Sequence, residues 1–160
     1  MQNTKNRILK FNIFFIKILF LFFVYTYVNA DSNTIQDGGT ETDQQNIDGD
    51  GEFLTVKNSS TLATGATTKA ANVTGDSVTV TVESGSTISA NTVAVFGDTT
   101  SDLTVTNSGT ITASGTTAID AKATTNATIT NNSGGTISSN RNTIRISKTT
   151  GVGAANTTGM

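Results

Sequence analysis

The stretch LTVTNSGTITAS, from Leu103 to Ser114, decides the fold because the chain returns to its pattern three more times. LTVKNSSTLATG begins at Leu54, VTVTVESGSTIS at Val78 and ATITNNSGGTIS at Ala127, so the pattern restarts at nearly equal intervals along the chain. In this alignment Val56, Val80, Val105 and Ile129 share one position, and Leu62, Ile88, Ile111 and Ile137 share another. Recurrence at a fixed period of about 20 to 50 residues is the signature of a solenoid, in which each unit buries its apolar side against its neighbours.

Within a unit the pattern is that of strands. Leu103-Thr-Val105, Val78-Thr-Val80-Thr-Val82 and Val93-Ala-Val95 alternate with period two, which sends apolar side chains to one face and threonines to the other. Ser84-Gly85, Ser108-Gly109 and Ser133-Gly134-Gly135 then supply corners, because glycine and small polar residues turn the chain at little steric cost. A second strand carries Ile88, Ile111 or Ile137, and a third carries Val93/Val95, Ile119/Ala121 and Ile144/Ile146, with insertions near Ser114 and Ser139 loosening its register. Three short strands per unit predict an all-β fold, a parallel β-helix of about 25 residues per coil and about four coils over 53–150. A β-sandwich is the structural alternative, but it gives no reason for apolar positions to recur at one fixed interval.

Composition narrows the chemistry. The chain has no Cys, no His and no Pro. Disulfides, thiolate metal sites and thiol chemistry are thereby excluded, the most common general base is missing, and no proline interrupts a strand ladder. After Ala30 there are twelve acidic residues against six basic ones, a net charge of −6. Such a surface lacks the clustered cations that displace phosphate counterions, so a nucleic-acid partner is not expected.

Residues 1–30 read as a secretory signal: Lys5, Arg7 and Lys10, then a Phe/Ile/Leu-rich run, then Val28-Asn29-Ala30 as a small-residue cleavage site. The apolar run from Ile18 to Val28 falls short of the ~20 residues that span a bilayer, which favours a cleaved signal helix over an anchor. From 31 to 52 seven acidic residues and no basic one predict a disordered, solvated linker. Asp48-Gly-Asp50-Gly-Glu52 suggests calcium, but an EF-hand loop starting at Asp48 would need Gly and Glu where Phe53 and Ser59 stand. Residues 151–160 are polar and glycine-rich and read as a truncated or frayed end.

A secretory signal, a polar lead-in and then units such as LTVTNSGTITASGTTAIDA resemble the passenger region of bacterial autotransporters, the type V secretion proteins, over residues 54 to about 150. The resemblance implies a right-handed parallel β-helix, an N-terminal fragment of a longer passenger. It implies a cell-surface or secreted location, an adhesive role towards a glycan or protein, and an outer-membrane translocator barrel beyond the residues present here.

Candidate functional residues are few. Thr79-Val-Thr81, Thr104-Val-Thr106 and Thr128-Ile-Thr130 match in the repeat, so Thr79, Thr81, Thr104, Thr106, Thr128 and Thr130 form two outward ranks. They resemble the Thr-x-Thr array of ice-binding solenoids, although threonine is also a common exposed strand residue. Asn58, Asn107 and Asn131 align, with Val82 at the fourth place, and suggest a stacked amide ladder. Asn72-Val-Thr74 and Asn126-Ala-Thr128 are sequons of a kind expected by chance in an Asn/Thr-rich chain. For a carbohydrate-active enzyme only Glu83, Asp98, Asp102, Asp120, Arg141 and Arg145 are available, with no evident carboxylate pair. The expectation is a binding or structural module, not an enzyme, with no metal and no cofactor.

Overall fold

The computed structural model describes residues 33–35, 38–65, 68–98, 101–122 and 124–147, and the backbone of 155–158. The expected signal, 1–30, lies outside the described residues, as does most of the expected frayed end. The described chain coils upward three strands at a time. β1 (Asn33–Ile35), β2 (Thr40–Glu41) and β3 (Gln45–Ile47) make a short first coil. β4 (Phe53–Val56), β5 (Thr61–Ala63) and β6 (Ala71–Val73) make the next, followed by β7 (Val78–Val82), β8 (Thr87–Ala90) and β9 (Val93–Asp98). β10 (Asp102–Asn107), β11 (Thr110–Ala113) and β12 (Thr117–Lys122) precede β13 (Asn126–Asn131), β14 (Thr136–Ser139) and β15 (Asn142–Ser147), and β16 (Ala155–Thr158) begins another turn.

Like strands of successive coils pair in parallel, giving three sheets with the orders β1-β4-β7-β10-β13-β16, β2-β5-β8-β11-β14 and β3-β6-β9-β12-β15. These are called here sheets A, B and C. Leu62 pairs with Ile88, Ile88 with Ile111 and Ile111 with Ile137, each step being one full turn of the chain. The fold is the expected parallel β-solenoid, with about 25 residues per coil.

The alternation seen in sequence becomes an inside and an outside. Val78, Val80 and Val82 are buried with Leu54, Val56, Leu103, Val105 and Ile129 from sheet A, and meet Leu62, Ile88 and Ile111 from sheet B and Val73, Val95 and Ile119 from sheet C. Threonines between these residues point outward. Gly85 turns the A–B corner of the third coil with φ of 77°, where a side chain would be strained. Gly109 serves the same corner one coil later for another reason: a Cβ there would run into the carbonyl oxygens of Ser86 and Glu83 in the coil beneath.

Three sequence expectations are corrected. The acidic stretch 31–52 is not a disordered linker where it is described, because β1, β2 and β3 pair with β4, β5 and β6. Its few apolar residues fall where the coil needs them, Ile47 fully buried and Ile35 against the core. Several of its carboxylates accept backbone hydrogen bonds: Glu52 Oε2 from Gly49 N at 2.9 Å, Asp50 Oδ1 from Asp76 N at 3.1 Å, and Glu41 Oε1 from Thr42 N at 3.0 Å. Composition averaged over the stretch concealed that arrangement.

The second correction is one of register. Val56 pairs with Val82, and Leu54 with Val80, so the repeat beginning at Leu54 is displaced by two positions from its sequence alignment. A shift of two keeps every side chain on its face, which is why alternation did not reveal it. Asn58 consequently leaves the Asn position and stands at a corner with φ of 55°. The third correction is of the same kind: Val95, not Val93, pairs with Ile119 and through it with Ile144, while Gly97 pairs with Ala121.

Candidate functional site: threonine faces and a charged column

Each outward position of a parallel solenoid becomes a column, with successive members about 4.8 Å apart. On sheet A, Thr79, Thr104 and Thr128 stack above Phe53. The parallel column holds Thr34, Thr55, Thr81, Thr106 and Thr130, and the backbone register extends it to Thr158. All six threonines singled out in sequence thus stand in the two expected ranks, and the corrected register adds Thr34 and Thr55. Sheet B carries a third column that sequence reasoning missed: Thr40, Thr61, Thr87, Thr110 and Thr136. Its signal was present, since a Thr precedes each of Leu62, Ile88, Ile111 and Ile137. Beside it stand Ala63, Ser89, Thr112 and Ser138, with Ser138 Oγ 3.1 Å from Thr112 Oγ1.

Where sheet B turns towards sheet C, a groove of about 340 Å³ is lined by Thr64, Ser89, Asn91, Thr112 and Ser114. Ser114 donates to Asn91 Oδ1 at 2.7 Å, and the buried Thr64 hydroxyl has no hydrogen-bond partner among the described residues.

The amide ladder is real but short. Asn107 is fully buried, and its Nδ2 donates to Asn131 Oδ1 at 2.8 Å and to Thr136 O at 3.1 Å, while its Oδ1 accepts from Gly109 N at 3.2 Å. The same column continues through Val82, Val56 and Ile35, so apolar packing replaces the amides towards the N-terminal end.

Sheet C differs from the other two. Its outward column runs Asn46, Asn72, Phe96, Asp120, Arg145. Asn72 Nδ2 donates to Asn46 Oδ1 at 3.1 Å, and Lys69 Nζ donates to Asn72 Oδ1 at 3.0 Å. The same ammonium lies 3.3 Å from the centroid of Phe96, a cation–π contact. Burial lowers the Lys69 pKa, with Lys122 adding to the effect and Asp98 and Asp120 opposing it. Asp120 is wholly buried and is held by Arg145, whose Nε donates to Oδ1 at 2.9 Å and whose Nη2 meets Oδ2. This hydrogen bond and the carboxylate charge hold the Arg145 guanidinium above its ordinary pKa.

No protein family, curated protein or solved structure matches this chain. Its geometry therefore carries the functional reading. Of the six charged residues considered for catalysis, Asp120 and Arg145 are joined to each other, as an ion pair. Asp98 stands beside Lys122 across the ladder and Asp102 Oδ1 accepts from Asn126 at 2.7 Å, while Glu83 and Arg141 are exposed at separate corners. Among the described residues no three acidic side chains converge as metal ligands would.

Proposed function

We propose that the chain is an exported, non-catalytic β-solenoid, a structural and adhesive module of autotransporter-passenger type that works at the cell surface or outside the cell. The observation that carries this reading is the set of threonine columns on sheets A and B, with the hydroxyl-lined groove beside Ser89 and Thr112. Hydroxyls repeated along a rigid axis offer both donors and acceptors, which suits the hydroxyl-rich surface of a glycan or the exposed backbone of a protein. The basic, apolar and small-residue order of residues 1–30 supports export with removal of the leader after Ala30.

The test is retention of the exported chain on neutral polysaccharide and on protein-coated beads, compared with the triple variant Thr81→Val, Thr106→Val and Thr130→Val. Valine keeps the branched shape and strand preference and removes only the hydroxyl. The expected result is at least a several-fold loss of retention with unchanged circular dichroism. Equal retention, or none on either surface by the unmodified chain, would sink the adhesive reading.

The length of the Thr34–Thr130 column favours a second reading, an ice- or ordered-surface-binding solenoid. Thermal hysteresis in the unmodified chain, abolished by the same triple variant, would select it over the first.

A further inference from the structure

Two aromatic side chains follow Ala30, Phe53 and Phe96, and the fold treats them oppositely. Phe96, in the outward column of sheet C, is buried and lies under the Lys69 ammonium. Phe53, in an outward column of sheet A, is 42% exposed and forgoes the gain that burial gives a phenylalanine ring. A single exposed apolar side chain is ordinary on a protein surface, so its setting decides what it means. Phe53 occupies the place that Thr79, Thr104 and Thr128 hold in the three coils above it, and Thr55 and Thr81 stand in the next rank of the same face. One aromatic ring is thus set among threonine methyls and hydroxyls.

These two ranks hold no charged side chain. Lys57, Glu83 and Asp102, the charged residues nearest to them in the chain, stand at or just beyond the ends of β4, β7 and β10. In a chain with a net charge of −6 after Ala30, such a face favours an uncharged ligand over a polyanion, which the rest of the surface repels. The face of an aromatic ring is electron-rich and attracts weakly positive C–H groups, while hydroxyls beside it donate and accept hydrogen bonds. A pyranose with equatorial substituents presents the complementary pair, C–H groups on its two faces and hydroxyls around its rim.

Resting on the adhesive reading above, we infer that sheet A binds a neutral polysaccharide of such pyranoses, with one sugar ring stacked on Phe53 and the chain running along the solenoid axis over Thr79, Thr104 and Thr128. The three steps of that column span about 14 Å, so the hydroxyl partners of a bound chain lie on successive coils. Phe53 is the anchor. A rigid aromatic group supplies a large contact area at small cost in side-chain entropy, whereas a single threonine hydroxyl exchanges water for sugar at little net gain.

The chain has no Trp, so Phe53→Trp places a single tryptophan on the face and makes it the reporter. Its fluorescence emission is expected to move to shorter wavelength and saturate as cellohexaose or chitohexaose is added, with no response to polygalacturonate. On beads of neutral polysaccharide, Phe53→Ala and Phe53→Thr are each expected to weaken retention about tenfold. Circular dichroism should be unchanged, since the residue is exposed and threonine already fills its place in other coils. Emission that neither oligosaccharide moves, or retention on the polysaccharide that neither substitution weakens, would overturn the role of Phe53. An equal response to polygalacturonate would overturn the neutral class of ligand. Retention of the unmodified chain on protein-coated beads alone would overturn the glycan and leave the adhesive reading standing, whereas retention on neither surface would remove both.

Discussion

At the scale of single residues, the side chains that matter most for stability are polar ones withdrawn from water, Asn107 on the inner side of sheet A and Asp120 in the outward column of sheet C. Asp120 is buried where a carboxylate is costly, and Arg145, half in water, is what compensates it. Arg145→Ala is expected to destabilise the fold by about 1–3 kcal/mol, less than for a fully buried pair because the guanidinium is partly solvated. Asp120→Ala combined with Arg145→Ala should be milder than the sum of the two single changes, and urea denaturation of all four proteins checks this. Asn107→Ala removes the partner of Gly109 N and Asn131 Oδ1 in a buried place and should cost about 1–3 kcal/mol in the same assay. Lys69 gives a pH signature. Its pKa is lowered on folding, so between that lowered value and the ordinary ~10.4 the unfolded chain binds more protons, and stability rises with pH across that window. Lys69→Gln should flatten this rise, measured as the difference between the denaturation midpoints of the two proteins at each pH. The amide ladder is legible in the alignment of Asn107 with Asn131, whereas the ion pair is not, since Asp120 and Arg145 are far apart in the chain and read as scattered surface charge until the coil period puts them on adjacent rungs.

At the scale of strands and corners, much of the architecture could be read directly. Val78-Thr-Val80-Thr-Val82 announces a strand with one buried face, and Leu62, Ile88, Ile111 and Ile137 are indeed one inward column. The register between β4 and β7 was misread because a short alternating strand offers two positions of the same parity. Corner length resolves it: Val56 and Val82 each precede the next inward apolar residue, Leu62 and Ile88, by six positions. The expected consequence in solution is a strong methyl–methyl nuclear Overhauser contact between Val56 and Val82, with a weaker one from Val56 to Val80. The reverse order would restore the sequence alignment. The first coil was hidden for a different reason. β1 to β3 are each no more than three residues long, and their place is set by hydrogen bonds to β4, β5 and β6 and not by an apolar pattern of their own.

For the molecule as a whole, stability is a sum of similar coils and the contacts between neighbours, so length and end structure matter more than any single site. The threonine columns belong to this scale as well, because no single Thr differs from an ordinary exposed strand residue and only the stacking of coils turns it into a face. The most direct test of the account is the spacing of that stack. The chain has no cysteine, so spin labels can be introduced in pairs at Phe53, Thr79, Thr104 and Thr128, outward positions of one column. The solenoid predicts separations that grow by about 4.8 Å per coil: about 5 Å for Thr79 with Thr104, about 10 Å for Thr79 with Thr128, and about 14 Å for Phe53 with Thr128. Electron paramagnetic resonance reads all three. Separations that fail to increase linearly with the number of coils, or a Thr79–Thr104 pair more than about 10 Å apart, would contradict the parallel coil on which every other inference depends.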